Sequence, residues 1–416
     1  MSELAAFARR KGWRRALVVM DANTEQVAGA GVGQELIAAG LAVDALRYPQ
    51  RSGLAPDQGA VDEARGRLRD DSPDGIVAVG SGVITDITRY AADVEGRDFV
   101  SVPTAASMDG YASGVAALQI AGVKVTYPAR PPQAIFVDPE VLAAAPTELT
   151  RSGLGDTFGK ATARVDWLAS HLLYGEPFCP AADARVLATL TAVLDLVGTA
   201  LEGDRSAIEA LIRALLESGI AMAMVGSSRP ASGCEHHASH LWDLMAAEGL
   251  REHSPHGLQV GYATHFAMRL QRFAFGGGVP ELAPPSDPPP LDDEAKRLLG
   301  GPASEISAAI DGSARFLAEN AARWPEPERW AALCERLAPG LELFARVEAA
   351  LQEAGIPSDP GYLGLDAKTL LATFRYASNL RARYTTIDFL TGQGALDAAL
   401  DATLAPATSG RARAGG

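Results

Sequence analysis

Residues 75–84 read Gly-Ile-Val-Ala-Val-Gly-Ser-Gly-Val-Ile (GIVAVGSGVI), and this stretch decides the fold. Gly75–Val79 is short, apolar and rich in β-branched residues, as a buried strand requires. It runs into Gly80-Ser81-Gly82, and a helical pattern opens from about Ile84. Glycines at such a turn let the backbone approach a ligand closely, and the helix N-terminus then presents free N–H groups and a positive dipole end to a pyrophosphate. Asp86 reads as a first-turn acid that suits the same dipole. The third glycine of the usual dinucleotide fingerprint is absent, so a nucleotide cradle and a plain tight turn both fit the segment.

The pattern repeats outward from there. Ala16–Asp21, Val43–Tyr48, Phe99–Pro103 and Ala134–Asp138 are further predicted strands, with helices such as Gly59–Asp70 and Ile84–Ala92 between them. Strands alternating with helices imply a parallel sheet covered on both faces. From about Ser152 the texture changes to long Ala/Leu-rich segments with helical periodicity. These are Ala181–Leu201, Ser206–Met224, Leu291–Ala322, Pro325–Ala354 and Ala367–Tyr376, as in a helical bundle. The expected organisation is a dinucleotide-binding α/β domain over 1–150, a helical metal- and substrate-binding domain over 151–404 and a disordered tail over 405–416. Gly276–Pro290 reads as a Gly/Pro-rich loop.

Composition narrows the partners. With 37 Lys and Arg against 51 Asp and Glu, the net charge is −14, which repels phosphate backbones and argues against nucleic acid. Three scattered cysteines, Cys179, Cys234 and Cys334, fit a reducing compartment, and no apolar run has the length of a membrane span. The basic residues Arg9 to Arg15 precede an apolar run that stops at Asp21, too short for a signal peptide. A cytoplasmic protein without membrane partners is expected.

Two further loops follow strands. Val102–Gly114 (VPTAASMDGYASG) offers small residues and hydroxyls, Thr104, Ala105, Ala106, Ser107 and Ser113, for contact with a cofactor. Asp109 in this loop is either a site acid or a turn cap. Asp21 at the end of the first strand either accepts from ribose hydroxyls or forms an Asx-turn.

Six of the seven histidines fall between His236 and His265. In RPASGCEHHASHL, Ser232 and Glu235 fit a capping box, which places His236 and His240 four apart on one helix face. His256 follows 20 residues after His236, at the start of another helical stretch. Two imidazoles plus a carboxylate leave an open position on a divalent ion. The upstream acid Asp156, in the glycine-rich turn GLGDT, is either that carboxylate or a helix cap. His237, His253 and His265 read as surface or packing residues.

DANT (from Asp21), VGSGVITDITRYAA (from Val79), PTAASMDGYAS (from Pro103), GLGDTFGK (from Gly153), SRPASGCEHHASH (from Ser228), SPHGLQVG (from Ser254) and RARYTTIDFL (from Arg381) together resemble the sn-glycerol-1-phosphate dehydrogenases, in particular their bacterial branch. That branch lies beside iron-type alcohol dehydrogenases, glycerol dehydrogenase and dehydroquinate synthase. The resemblance implies a dehydroquinate-synthase-like fold with a Rossmann-like first domain. It implies Asp156, His236 and His256 as metal ligands, and Asp109 and His240, with Asp156, as substrate-contacting catalytic positions. Asp21, Gly80, Ser81, Gly82, Val83, Ile84, Thr104, Ala105, Ala106, Ser107 and Ser113 correspond to cofactor contacts. It also implies NAD or NADP, one divalent ion (zinc, nickel or iron), a small phosphate-ester substrate, a homodimer and a place in phospholipid synthesis. The chain opens at the helix before the DANT strand, where members usually carry a further strand and hairpin. The implied reaction interconverts sn-glycerol 1-phosphate and dihydroxyacetone phosphate, and Lys124 and Lys160 are candidate phosphate donors for it. The alternatives are a dehydroquinate-synthase-like cyclase, a glycerol or other polyol dehydrogenase, and a non-catalytic nucleotide-binding regulator.

Overall fold

The computed structural model describes residues 2–49, 53–120, 123–277, 288–320, 327–359, 361–380 and 383–408. The chain forms two compact units. The first holds 1–153 and Leu196–Gly226, and the second holds Leu154–Asp195 and 227–416.

In the first unit, β1 (Arg15–Asp21), β2 (Ala42–Tyr48), β3 (Gly75–Gly80) and β4 (Val100–Pro103) form a four-stranded parallel sheet in the order β2-β1-β3-β4. Alternation along β1 and β3 supplies both faces. Leu17, Val19, Ile76 and Ala78 pack with Ala60, Ala64 and Leu68 of α3 (Gln58–Asp71) and Ile84, Ile87 and Ala91 of α4 (Gly82–Val94). Ala16, Val18, Val77 and Val79 face Leu4 and Ala8 of α1 (Ser2–Arg10) and Val32 and Leu36 of α2 (Ala30–Ala38). The order reverses between β1 and β3, and in an open parallel sheet the carboxyl ends beside such a reversal are where ligands bind. Asp21 and Gly80 are those two ends.

One strand expectation is corrected, and one pair of strands is added. Ala134–Asp138 makes only an isolated bridge, Ile135 to Ser101 beside β4, since Pro131-Pro132 before it and Pro139 after it cannot donate to a ladder. A hairpin of β5 (Val115–Ile120) and β6 (Val123–Pro128), unread in the sequence, lies beyond the Asp109 loop.

The helical part holds α5 (Thr147–Tyr174), α6 (Arg205–Val225), α7 (Cys234–Ala247), α8 (His256–Phe275) and α9 (Thr386–Gly392) among its helices. The boundary near residue 150 is therefore incomplete, because α6 groups with the first unit. Its Gly219 lets the helix close on the Asp109 loop, where a Cβ would come 2.9 Å from the Asp109 carbonyl oxygen. The long predicted helices are also split: Ala181–Leu201 breaks around Asp195-Leu196, Leu291–Ala322 at Gly300-Gly301 and Pro325–Ala354 at Leu343. The tail is helical through Thr408, and its remainder, like most of the Gly276–Pro290 loop, lies outside the described residues. Among the described residues no helix is long and apolar enough to cross a membrane.

Asp388 gives the second unit a pH signature. Burial pushes its carboxyl up to about 6, against hydrogen bonds from Thr385 and with Asp166 adding to the rise. The folded state then binds this proton more tightly than the unfolded chain. The contribution is full below the unfolded value near 4 and is lost as pH rises through about 6. Asp388→Asn mimics the protonated form. The stability difference between variant and wild type, by urea unfolding, should shift toward the variant by about 2 kcal/mol between pH 4 and pH 7. A difference independent of pH would contradict this.

Candidate functional site

The β3–α4 turn is built as its sequence suggests. A Cβ on Gly80 would fall 2.6 Å from Ile84 Cβ, so the helix turns back on the strand at a distance only glycine allows. Ser81 is the N-cap residue of α4, in extended backbone, and its side chain makes no capping bond. The first-turn N–H groups of Gly82, Val83 and Ile84 are thus not capped by that hydroxyl, and they fit an anion. Asp86 lies beyond the first turn and pairs with the buried Arg89 instead, with Arg89 Nη1 donating to its Oδ1 at 3.3 Å. This corrects its reading as a dipole acid.

Thr104 N donates to Gly80 O at 3.3 Å, which ties the second loop to the first. Ala105 and Ala106 are buried, Tyr111 donates its hydroxyl to Ala105 O at 2.8 Å, and Ser152 Oγ donates to Ser107 O at 3.0 Å. The guanidinium of Arg89 holds the far end of the loop, donating to Gly110 O at 2.7 Å, Tyr111 O at 2.8 Å and Ser113 Oγ at 3.2 Å. Ser113 is buried and its hydroxyl also bonds Gly110 O at 3.0 Å, so it serves the loop's own architecture. Asp21 caps the single turn Ala22–Thr24, accepting from Asn23 N and Thr24 N at 2.8 Å each. This is the Asx-type arrangement, and it leaves only part of the carboxylate for another partner. Asp109 Oδ2 accepts from Ser218 Oγ of α6 at 3.0 Å. Neither Arg89 nor Ser218 is legible from the sequence as a support, since each acts over a long separation.

The second unit assembles the metal-type cluster. Asp156, His236 and His256 each bring one ligand atom, and these atoms lie within 4.8 Å of one another. Asp156 is in the body of α5, not in a turn or at a cap, which corrects the reading of GLGDT. The glycines there serve close helix packing. A Cβ on Gly155 would sit 2.2 Å from Gly257 O, so α5 and α8 meet backbone to backbone at the residues next to Asp156 and His256. His236 Nε2 stands 3.6 Å from Asp156 Oδ1, and the rings of His236 and His256 are 5.3 Å apart. His240 joins them, with its ring centroid 5.7 Å from that of His256.

Outer partners orient the ligands. Glu235 Oε1 is 2.8 Å from His236 Nδ1 and accepts from Gly233 N at 2.7 Å, while its Oε2 accepts from Thr162 Oγ1 at 2.7 Å. The Ser232–Glu235 capping box does not form; α7 is capped by Gly233, and Glu235 turns inward to the histidine. Ser239 Oγ is 3.1 Å from His256 Nδ1, leaving Nε2 of that ring for a ligand role. Lys160 Nζ donates to Asp156 Oδ1 at 2.5 Å, both groups being buried. Burial alone would raise the Asp156 carboxyl, but the Lys160 ammonium and the neighbouring imidazoles hold it well below the usual range. A carboxylate whose charged form is favoured, beside two imidazoles, is a donor set for zinc, nickel or iron, so the residues fit such an ion. Lys160 is accordingly engaged with Asp156, and the Lys124 side chain lies outside the described residues. His237 and His265 are buried and His253 is exposed; His265 Nε2 bonds Ile356 O at 2.9 Å.

The architecture, a parallel sheet preceding a helical part, matches known structures along nearly its whole length. One is a probable glycerol dehydrogenase from Sinorhizobium meliloti, with TM-score 0.63, 19% identity and coverage of 98% of this chain and 95% of that one. Residues 1–146 match the family described as iron-containing alcohol dehydrogenase. A glycerol-1-phosphate dehydrogenase (NAD(P)+) of Geobacillus thermodenitrificans is 31% identical over 388 residues, spanning 93% of this chain and 88% of the relative. That of Halalkalibacterium halodurans is 37% identical over 272 residues, 65% of this chain and 68% of the relative. The chain belongs to the glycerol-1-phosphate dehydrogenase family within the iron-containing alcohol dehydrogenases.

Proposed function

We propose that the protein is a metal-dependent, NAD(P)-linked dehydrogenase that interconverts sn-glycerol 1-phosphate and dihydroxyacetone phosphate. The observation that carries this is the Asp156–His236–His256 cluster with His240 at its edge, in a chain whose relatives bear that enzyme's name. A divalent ion held by the three side chains would supply Lewis acidity that lowers the pKa of a substrate hydroxyl. Lys160 keeps Asp156 ionised for that role, and Glu235 fixes the His236 ring through Nδ1. His240 orients a substrate hydroxyl and relays its proton. Asp109, held by Ser218, takes the substrate's terminal hydroxyl. The N-terminus of α4 takes the cofactor pyrophosphate.

The test mixes the purified protein with NADH or NADPH and dihydroxyacetone phosphate and follows absorbance loss, with and without a chelator. Turnover that the chelator abolishes and a divalent ion restores is expected. In the reverse direction sn-glycerol 1-phosphate should be oxidised faster than the 3-phosphate and faster than free glycerol. Chelator-insensitive turnover, or equal rates with both enantiomers, would overturn the reading.

A separate expectation concerns the cradle. A Cβ on Gly82 would come 3.1 Å from Met108 Sδ, a flexible neighbour that can yield, so Gly82→Val should leave the fold intact. The branched side chain would nonetheless stand before the N–H groups meant for the pyrophosphate. Loss of that helix-terminus contact is worth about 2 kcal/mol, or ~30-fold in NADH affinity. Fluorescence titration of NADH measures it, and unchanged affinity would refute the assignment.

A further inference from the structure

We infer that Asp166 is a positioning residue for the metal centre: its carboxylate joins the three helices that carry the ligands. This rests on the reading of Asp156, His236 and His256 as a metal site.

Asp166 is fully buried on α5, ten residues beyond Asp156 on the same helix. Its Oδ2 accepts from Cys234 N, the first residue of α7, at 2.8 Å. Its Oδ1 accepts from Gln271 Nε2 of α8 at 2.9 Å, and from Thr386 N at 2.9 Å and Thr386 Oγ1 at 2.5 Å at the start of α9. Four donors from three other elements therefore converge on one carboxylate. The Gly233 cap of α7 has no side chain to offer, and Asp166 accepts from the first N–H group of that helix, which has no partner within the helix. His236 lies two residues from Cys234, and His256 lies on the helix that Gln271 anchors. A movement of α7 or α8 along α5 would break these bonds and displace a histidine relative to Asp156 in the same motion.

The chemistry of the position requires an acceptor on both sides. Asp166→Asn keeps the size but presents an N–H₂ group either to Cys234 N or to the Gln271 and Thr386 donors, so one set of bonds is replaced by donor facing donor. The loss should fall on ion geometry. Direct partners of metal ligands typically contribute ~10- to 100-fold in metal affinity, and Asp166 acts on the same ligands through the backbone of α7 and the Gln271 side chain of α8.

The experiment compares wild type, Asp166→Asn, Gln271→Met and a control core variant, Ile306→Ala. Zn²⁺ affinity is measured by competition with a chromophoric chelator, the Co²⁺-substituted protein by its visible absorption, and NADH affinity by titration. Asp166→Asn should lose ~10- to 100-fold in Zn²⁺ affinity and shift the Co²⁺ bands, with NADH affinity kept. Gln271→Met, which removes a single link, should move both metal readouts in the same direction by less. If Asp166→Asn does not fold, Gln271→Met carries the test alone. Ile306→Ala should lower stability without moving the Co²⁺ spectrum. Unaltered Co²⁺ bands and Zn²⁺ affinity in the folded variants of Asp166 and Gln271, or in Gln271→Met where it stands alone, would overturn the inference. Failure of the wild type itself to bind Zn²⁺ or Co²⁺ would overturn the metal reading instead, which keeps the two outcomes distinct.

Discussion

His236→Ala should abolish both metal retention and turnover while NADH binding persists. The imidazole stands 3.6 Å from Asp156 and is oriented by Glu235, so its removal takes one of three donors and leaves two buried carboxylates without their shared partner. Loss of Lewis-acid stabilisation costs several kcal/mol; about 4 kcal/mol corresponds to ~10³-fold in kcat. His256→Ala should behave alike, although its ring is more exposed and its neighbour Ser239 is a weaker anchor. The α4 cradle lies in the first unit, so NADH affinity should be unchanged. Metal analysis together with steady-state kinetics decides this: a variant that has lost the ion but retains normal kcat would remove the metal from the reaction.

Gly155→Val should be severely damaging although it touches none of the ligands. The first atom added at this position would lie 2.2 Å from Gly257 O, and Ile356 Cδ1 is already 3.0 Å away. Backbone cannot rotate aside as a long side chain can, so α5 and α8 must separate. Overpacking of a close helix contact costs ~3 kcal/mol or more. Because Asp156 and His256 are the adjacent residues, the same separation opens the ligand triangle. Thermal unfolding with and without Zn²⁺ should show a lowered Tm and a lost metal-induced rise. A variant that keeps the wild-type Tm and its metal response would contradict the packing argument.

What the sequence discloses here depends on how local the cause is. The β3 turn, the His236–His240 spacing and the parallel sheet are written in short periodicities, and they are found where expected. GLGDT reads as a turn, since glycine disfavours helix interiors. Close approach of a second helix overrides that preference, and the partner, Gly257, lies more than a hundred residues away. The spacing of Ser232 and Glu235 points to a cap, whereas the buried neighbours Thr162 and His236 draw Glu235 inward. Ala134–Asp138 has strand composition but prolines at both ends. Arg89 reads as one helix residue among many, and only the fold shows it threading the Asp109 loop.

The allocation of Leu196–Gly226 to the first unit has a bearing on how this protein can be cut, fused or inherited. The polypeptide passes from one unit to the other at Gly153, returns at Asp195 and leaves again at Gly226, so neither unit is a contiguous stretch of gene. A fragment ending near residue 150 would carry the sheet and the glycine turn but not Ser218, the side chain that holds Asp109. A fragment beginning there would carry an orphaned α6. A single exchanged block of sequence therefore cannot carry either unit whole, and a swap of the first unit must bring both of its segments together.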